Sequence, residues 1–140
     1  MNRPTPAQLE TARRLLVYEG AASVADERTA TAAGRVYGKL HAHMVPLVSA
    51  DGVRLLFARS AKLTQGEFAC LAESSRLEGS TELCACLKAQ DPAVAMAAAT
   101  ALFGTFIALL TTFIGERLTT QVLRSAWPTI EEMPPTENKT

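Results

Sequence analysis

The sequence has few aromatic residues and no net charge, and each shortage argues against a class of protein. Aromatic residues make up 6% of the 140 residues, whereas alanine is abundant, which favours helices over strands. Basic and acidic residues number 14 each, so no net field draws the chain to nucleic acid. The composition therefore predicts an all-α protein with no nucleic-acid partner.

Cysteine is also scarce, and its spacing argues against a disulfide framework. The three cysteines, Cys70, Cys84 and Cys86, are an odd number. Cys84 and Cys86 have one residue between them, so their sulfurs would diverge on a helix, unlike those of a Cys-x-x-Cys motif. Residues 1–4 lack the apolar core of a signal peptide. We expect free thiols and a cytoplasmic protein.

Capping residues and apolar periodicity predict about six helices. Thr5 followed by Pro6 starts the first helix, which ends near Gly20. The second begins near Ser23 or Asp26 and must weaken before Pro46, because proline disrupts the preceding helical turn. A turn and cap at residues 49–52 then introduces a short third helix that ends around Lys62.

The rest of the pattern places three more helices in the same domain. Thr64 and Glu67 have the spacing of a capping box before a fourth helix, and residues 81–90 form a short fifth helix. Asp91 caps the last one, which continues to Pro128. We expect a single domain over residues 1–128 and a disordered, polar tail over residues 129–140.

The central feature is a long uncharged segment, Ala93–Ile114, of 22 residues. As a helix it would be about 33 Å long, enough for a bilayer core of roughly 30 Å. Its first half is mainly alanine, which gains little from lipid, and no Lys/Arg cluster flanks it. We therefore favour a helical bundle around a central apolar helix, with a membrane span as the alternative.

Two segments resemble those of other proteins. Residues 52–60, Gly-Val-Arg-Leu-Leu-Phe-Ala-Arg-Ser, and residues 112–119, Thr-Phe-Ile-Gly-Glu-Arg-Leu-Thr, are followed by Ala-Trp-Pro at residues 126–128. These segments resemble parts of small uncharacterised helical bacterial proteins. The resemblance covers about a third of the chain and implies no activity.

The spacing of the histidines and the absence of known catalytic motifs predict that the protein has no cofactor and no metal. His41 and His43 would diverge by about 200° on a helix, so they do not form the i, i+4 chelate of a helical zinc site. A phosphoryl group on one of them, with Lys39 nearby, is an alternative hypothesis. We find no phosphate-binding loop, nucleophile elbow or paired-carboxylate motif, so an enzyme is the minority hypothesis.

Glu116 and Arg117 interrupt an apolar stretch that resumes at Leu118. Either Glu116 pairs with an arginine such as Arg35, Arg59 or Arg124, or Gly115 kinks the helix and both side chains emerge at the surface. We predict an interaction surface that contains these two charges and four further residues, because Trp and Arg are favoured interface anchors: Tyr37, His41, Arg59 and Trp127.

The sequence thus predicts a non-enzymatic helical protein that acts through protein contacts, as a small adaptor or regulator or as a homodimer. Two alternatives stay open. One is a membrane-associated protein that inserts the apolar helix, and the other is a bundle that binds an apolar ligand between its helices.

Overall fold

A computed structural model describes residues 4–20, 28–64, 66–68, 87–88 and 90–128. These residues form four helices and no strand, so the all-α prediction is confirmed, while the predicted number of about six is not matched. The helices are α1 (Pro6–Gly20), α2 (Arg28–Thr64), α3 (Pro92–Ile114) and α4 (Glu116–Ala126). The three cysteines, the polar tail and most of the predicted fourth and fifth helices lie outside the described residues.

Helix α2 consists of two helical arms, because the backbone is not helical at Ser49, which has φ 71° and ψ 164°. In a straight helix, residues 37 and 57 would be about 30 Å apart. The ring centroids of Tyr37 and Phe57 are instead 4.7 Å apart. The chain therefore reverses at Ser49, and the two arms of α2, residues 28–48 and 50–64, pack against each other.

These arms correspond to the predicted second and third helices, with one correction. The first arm does not weaken before Pro46 but continues past it to residue 48. Proline at this position falls in the last turn of the arm, where the helix is about to end in any case. The predicted turn and cap is present, since the Gly52 N–H donates to Ser49 Oγ at 3.2 Å.

Helix α3 lies at the centre of the fold and contacts α1, α2 and α4. Every residue from 102 to 110 is buried, because a helix that is apolar all round must be covered on all sides. The segment Ala93–Ile114 is long and apolar enough to cross a membrane, and 72% of its most apolar window is buried within the fold. The helix thus forms the core of the bundle.

Helix α1 packs directly on α3 at Gly104. A Cβ atom at Gly104 would lie 2.8 Å from Leu9 Cδ2, so a side chain there would require the Leu9 side chain to move. The start of α1 is fixed by a capping box, in which the Gln8 N–H donates to Thr5 Oγ1 and the Thr5 N–H donates to Gln8 Oε1. The predicted cap at Thr5 is therefore confirmed.

The two ends of α3 follow the sequence signals. The Ala93 N–H donates to Asp91 Oδ2 at 3.2 Å, which is the predicted N-cap. Gly115 ends the helix with φ 94° and ψ 157°, a conformation that other residues rarely adopt. Helix α4 starts at the next residue and packs on α2 and α3.

The capping box predicted at Thr64 and Glu67 does not form. Thr64 is the last residue of α2, and its hydroxyl donates backwards to the Ser60 carbonyl at 2.9 Å. The Glu67 N–H donates to the Thr64 backbone carbonyl at 3.0 Å, which closes a turn. The hydroxyl is buried against its own helix and is therefore not available to cap a following one.

Candidate functional site

The structure divides the predicted interaction surface between the core and the exterior. Tyr37 and Trp127 are buried, with 7% and 1% of their surface exposed. Arg59, Glu116 and Arg117 are exposed, and His41 is half-buried. The two aromatic side chains therefore stabilise the core of this fold, and the charged residues are the ones available to a partner.

Tyr37 belongs to a run of aromatic contacts through the core. Its ring meets Phe57 edge-on, and Phe57 in turn lies 6.5 Å from Phe103 of α3, centroid to centroid. The His41 ring lies 5.9 Å from Tyr37 on the outer side of this run. Burial raises the pKa of the Tyr37 phenol, and the positive charge of Arg54 opposes that shift.

A buried acid, Glu19, organises the end of the bundle that contains Trp127. Only 7% of Glu19 is exposed. Its Oε2 atom accepts a hydrogen bond from Trp127 Nε1 at 2.7 Å and another from Lys39 Nζ at 2.5 Å. Arg35 also donates to the backbone carbonyl of Glu19 at 3.0 Å. One residue of α1 therefore holds the first arm of α2 and the segment that follows α4.

The lysine in this cluster also lies over aromatic rings. Lys39 Nζ is 5.5 Å from the Trp127 ring centroid and 5.7 Å from that of Tyr18, distances at which a cation is attracted to a ring face. The Lys39 side chain is 40% exposed, so its charge keeps contact with water. We call Glu19, Lys39 and Trp127 the buried polar cluster.

Sequence reasoning missed Glu19, although a signal was present. The apolar stripe of α1 contains Ala12, Leu15 and Leu16, and Glu19 is the next position on that stripe. An acid at a core-facing position must find donors, since burying an unpaired carboxylate is costly. The Trp127 indole N–H and the Lys39 ammonium are those donors.

The exposed charges lie where α3 turns into α4. Gly115 breaks the helix, so Glu116 and Arg117 emerge at the surface, and Glu116 forms no ion pair with any other described residue. This matches the second of the two predicted alternatives, except that Gly115 ends α3 instead of kinking one continuous helix. Phe113 and Leu118 flank them and are 66% and 40% exposed. We call Phe113, Glu116, Arg117 and Leu118 the corner surface.

The described residues contain no group of three or more His, Cys, Asp or Glu side chains placed to hold a metal ion. His43 is exposed, and its Nδ1 atom lies 3.0 Å from the Lys39 carbonyl oxygen. His41 packs against Tyr37 instead, so the two histidines occupy different surroundings.

Comparisons with protein families, with curated proteins and with solved structures find no significant match to this chain. The resemblance to small helical bacterial proteins therefore stays a prediction.

Proposed function

We propose that the protein acts without catalysis, by binding protein through the corner surface, and that its partner there is a second copy of the same chain. The observation that carries the proposal is the exposure of Phe113, at 66%, three residues after a buried stretch of the same helix. A large exposed aromatic side chain, with the exposed Leu118 five residues further along the chain, offers the apolar centre that a protein interface needs.

The charges of the corner surface complement a second copy of themselves. Glu116 and Arg117 are neighbours, and neighbouring residues on a helix diverge by about 100°, so they do not face each other. In a two-fold symmetric dimer each residue of the patch meets the same patch of the partner. Glu116 of each copy can then pair with Arg117 of the other, and a net charge of zero adds no overall repulsion.

The first test is the mass of the full chain in solution, measured by light scattering during size exclusion across a range of concentrations. We expect a species of about twice the 15.0 kDa chain mass that dissociates on dilution. Phe113→Ser should shift the protein to the monomer. Leu55→Ser is the matched control, because Leu55 is 71% exposed but lies on α2.

A charge exchange tests the pairing itself. Glu116→Arg and Arg117→Glu should each weaken the dimer, because each places like charges opposite one another across the two-fold axis. The double variant restores the opposite charges and should recover the dimer. A monomeric wild-type chain, or single variants that dimerise as well as the wild type, would contradict the proposal.

A membrane surface is the alternative partner for an exposed Phe113. Flotation of the chain with neutral phosphatidylcholine vesicles distinguishes membrane binding from dimerisation. Insertion into the bilayer would require α3 to leave the core of the bundle. We expect the chain to stay with the soluble fractions. Vesicle binding that Phe113→Ser abolishes, with no change in mass in solution, would favour the membrane and overturn the dimer.

A further inference from the structure

A cleft of about 670 Å³ opens between the start of α1, the end of α2 and the first half of α3. Its size falls within the range of sites that hold small molecules. Its walls are mainly apolar, and they include Leu9, Leu63, Phe68, Ala97 and Ala101. It is separate from the corner surface, whose residues do not line it.

Small residues on one face of α3 keep the cleft open. Ala97 and Ala101 are four residues apart and therefore lie on the same face, and their methyl groups fill little of the space between the described parts of the helices. The cleft continues along this face to Thr105, and beside it Gly104 lies close to Leu9 of α1. The start of α1 therefore forms one wall of the cleft.

A buried hydroxyl in the wall of the cleft lacks a partner. Thr100 is 8% exposed, and its Oγ1 atom has no hydrogen bond among the described residues. Other threonines of this helix behave differently: Thr111 and Thr112 each donate to the carbonyl four residues earlier, at 2.8 and 3.0 Å. Its Oγ1 atom is closed to water, so a ligand oxygen reaches it only when the Thr100 side chain turns towards the cleft. Because a buried hydroxyl without a partner is unfavourable, a hydrogen bond formed in this way would raise the affinity for the ligand.

The charged residues of the cleft do not select a charged ligand. Arg13 and Glu67 both line it and both are exposed. Their opposite charges cancel at the level of the site, so neither an anionic nor a cationic head group gains a net attraction. An uncharged ligand with an apolar body avoids the cost of losing water from an ion.

We infer that this cleft is a binding site for an uncharged, mainly apolar small molecule with a single oxygen, such as a medium-chain alcohol, ketone or ester. The apolar chain packs between Ala97, Ala101 and Phe68, and the oxygen accepts a hydrogen bond from Thr100. This site is independent of self-association through the corner surface, so either property can fail without the other.

Isothermal titration of the full chain with octanol tests the inference, with octanoate as the charged comparison. We expect octanol to bind at one molecule per chain and octanoate to bind more weakly. Thr100→Val keeps the shape of the side chain and removes the hydroxyl, so it should fold and should weaken octanol binding by about tenfold. No heat of octanol binding, or equal affinity in Thr100→Val, overturns the inference.

Filling the cleft gives a second readout. Ala101→Leu and Ala97→Leu place a larger side chain in the wall and should each abolish octanol binding, while thermal melting verifies that they fold. Ala42→Leu makes the same change at an exposed position of α2 and should leave the affinity unaltered. Undiminished binding in both cleft variants would place octanol elsewhere and overturn the assignment.

Discussion

At the scale of the residue, Glu19 shows how a single carboxylate can connect distant parts of a chain. Trp127 lies 108 residues away in the sequence, yet its indole N–H reaches the same oxygen as the Lys39 ammonium. Hydrogen bonds to a buried charged group are stronger than neutral ones and are costly to break. The end of α1 is thus tied to the segment that closes the fold.

We expect Glu19→Gln to lower the free energy of unfolding by about 1–3 kcal/mol, because the amide removes the charge that both donors face. Glu10→Gln is the matched control. Its half-buried ion pair with Arg14, one helical turn away, should be worth about 0.5 kcal/mol. Urea unfolding of both variants measures the difference, and equal losses would contradict the role of the buried polar cluster.

The buried phenol of Tyr37 gives a pH dependence. Its pKa is raised in the folded state, so above about pH 10 the unfolded chain loses this proton while the folded chain retains it. The unfolded state then binds fewer protons, and stability falls as the pH rises. Tyr37→Phe should remove this part of the alkaline loss, which urea unfolding between neutral pH and pH 11 measures. Identical pH profiles for the two proteins would contradict the burial of the phenol.

At the scale of the helix, the sequence signals that succeeded are those that act within one turn. Thr5 and Asp91 cap their helices because a side-chain oxygen needs only the next few N–H groups. Thr64 has the same local pattern, yet its hydroxyl bonds backwards to Ser60. A threonine hydroxyl can form a hydrogen bond either by capping a following helix or by donating to the carbonyl four residues earlier. Which of the two forms depends on the tertiary surroundings of the threonine, and a local sequence pattern does not contain that information.

Gly115 separates α3 from α4 by its backbone alone. A Cβ atom there would meet nothing within 4 Å, so an alanine would not clash with its neighbours. Its φ of 94° is unfavourable for a residue with a side chain, so Gly115→Ala should destabilise the fold by about 1–2 kcal/mol through backbone strain. Gly38 is also free of neighbours within 4 Å, but it lies inside a helix. Gly38→Ala should therefore stabilise by about 0.5–1 kcal/mol. Thermal melting compares the two, and shifts of the same sign would contradict this account of the break.

At the scale of the whole molecule, the all-α class and the central apolar helix were predictable from composition. Ala93–Ile114 contains no charged residue, and a helix that is apolar on every side must be buried. The reversal at Ser49 was predictable only as a turn, since its angle depends on the packing of Tyr37 on Phe57. The candidate surface was less predictable. Tryptophan is a residue type that is favoured as an interface anchor. In this fold Trp127 contacts Glu19 instead, and that contact joins residues far apart in the sequence, which a local pattern does not predict.

The corner surface and the cleft are both products of this packing. Helix α3 is covered along its middle, where Leu102, Phe103 and Phe106 fill the space between helices. Towards its two ends the same helix is less well covered, and Ala97 and Phe113 are exposed. The candidate binding regions therefore lie at the ends of the helix that forms the core.

The central claim is that α3 is the core of a folded bundle, and hydrogen–deuterium exchange on the full chain, prepared without detergent, tests it most directly. The account predicts that the amides of residues 102–110 exchange last, at the rate of global unfolding, because this stretch is buried on all sides. Fast exchange through α3 while the rest of the chain is protected, or recovery of the chain only in detergent, would contradict it.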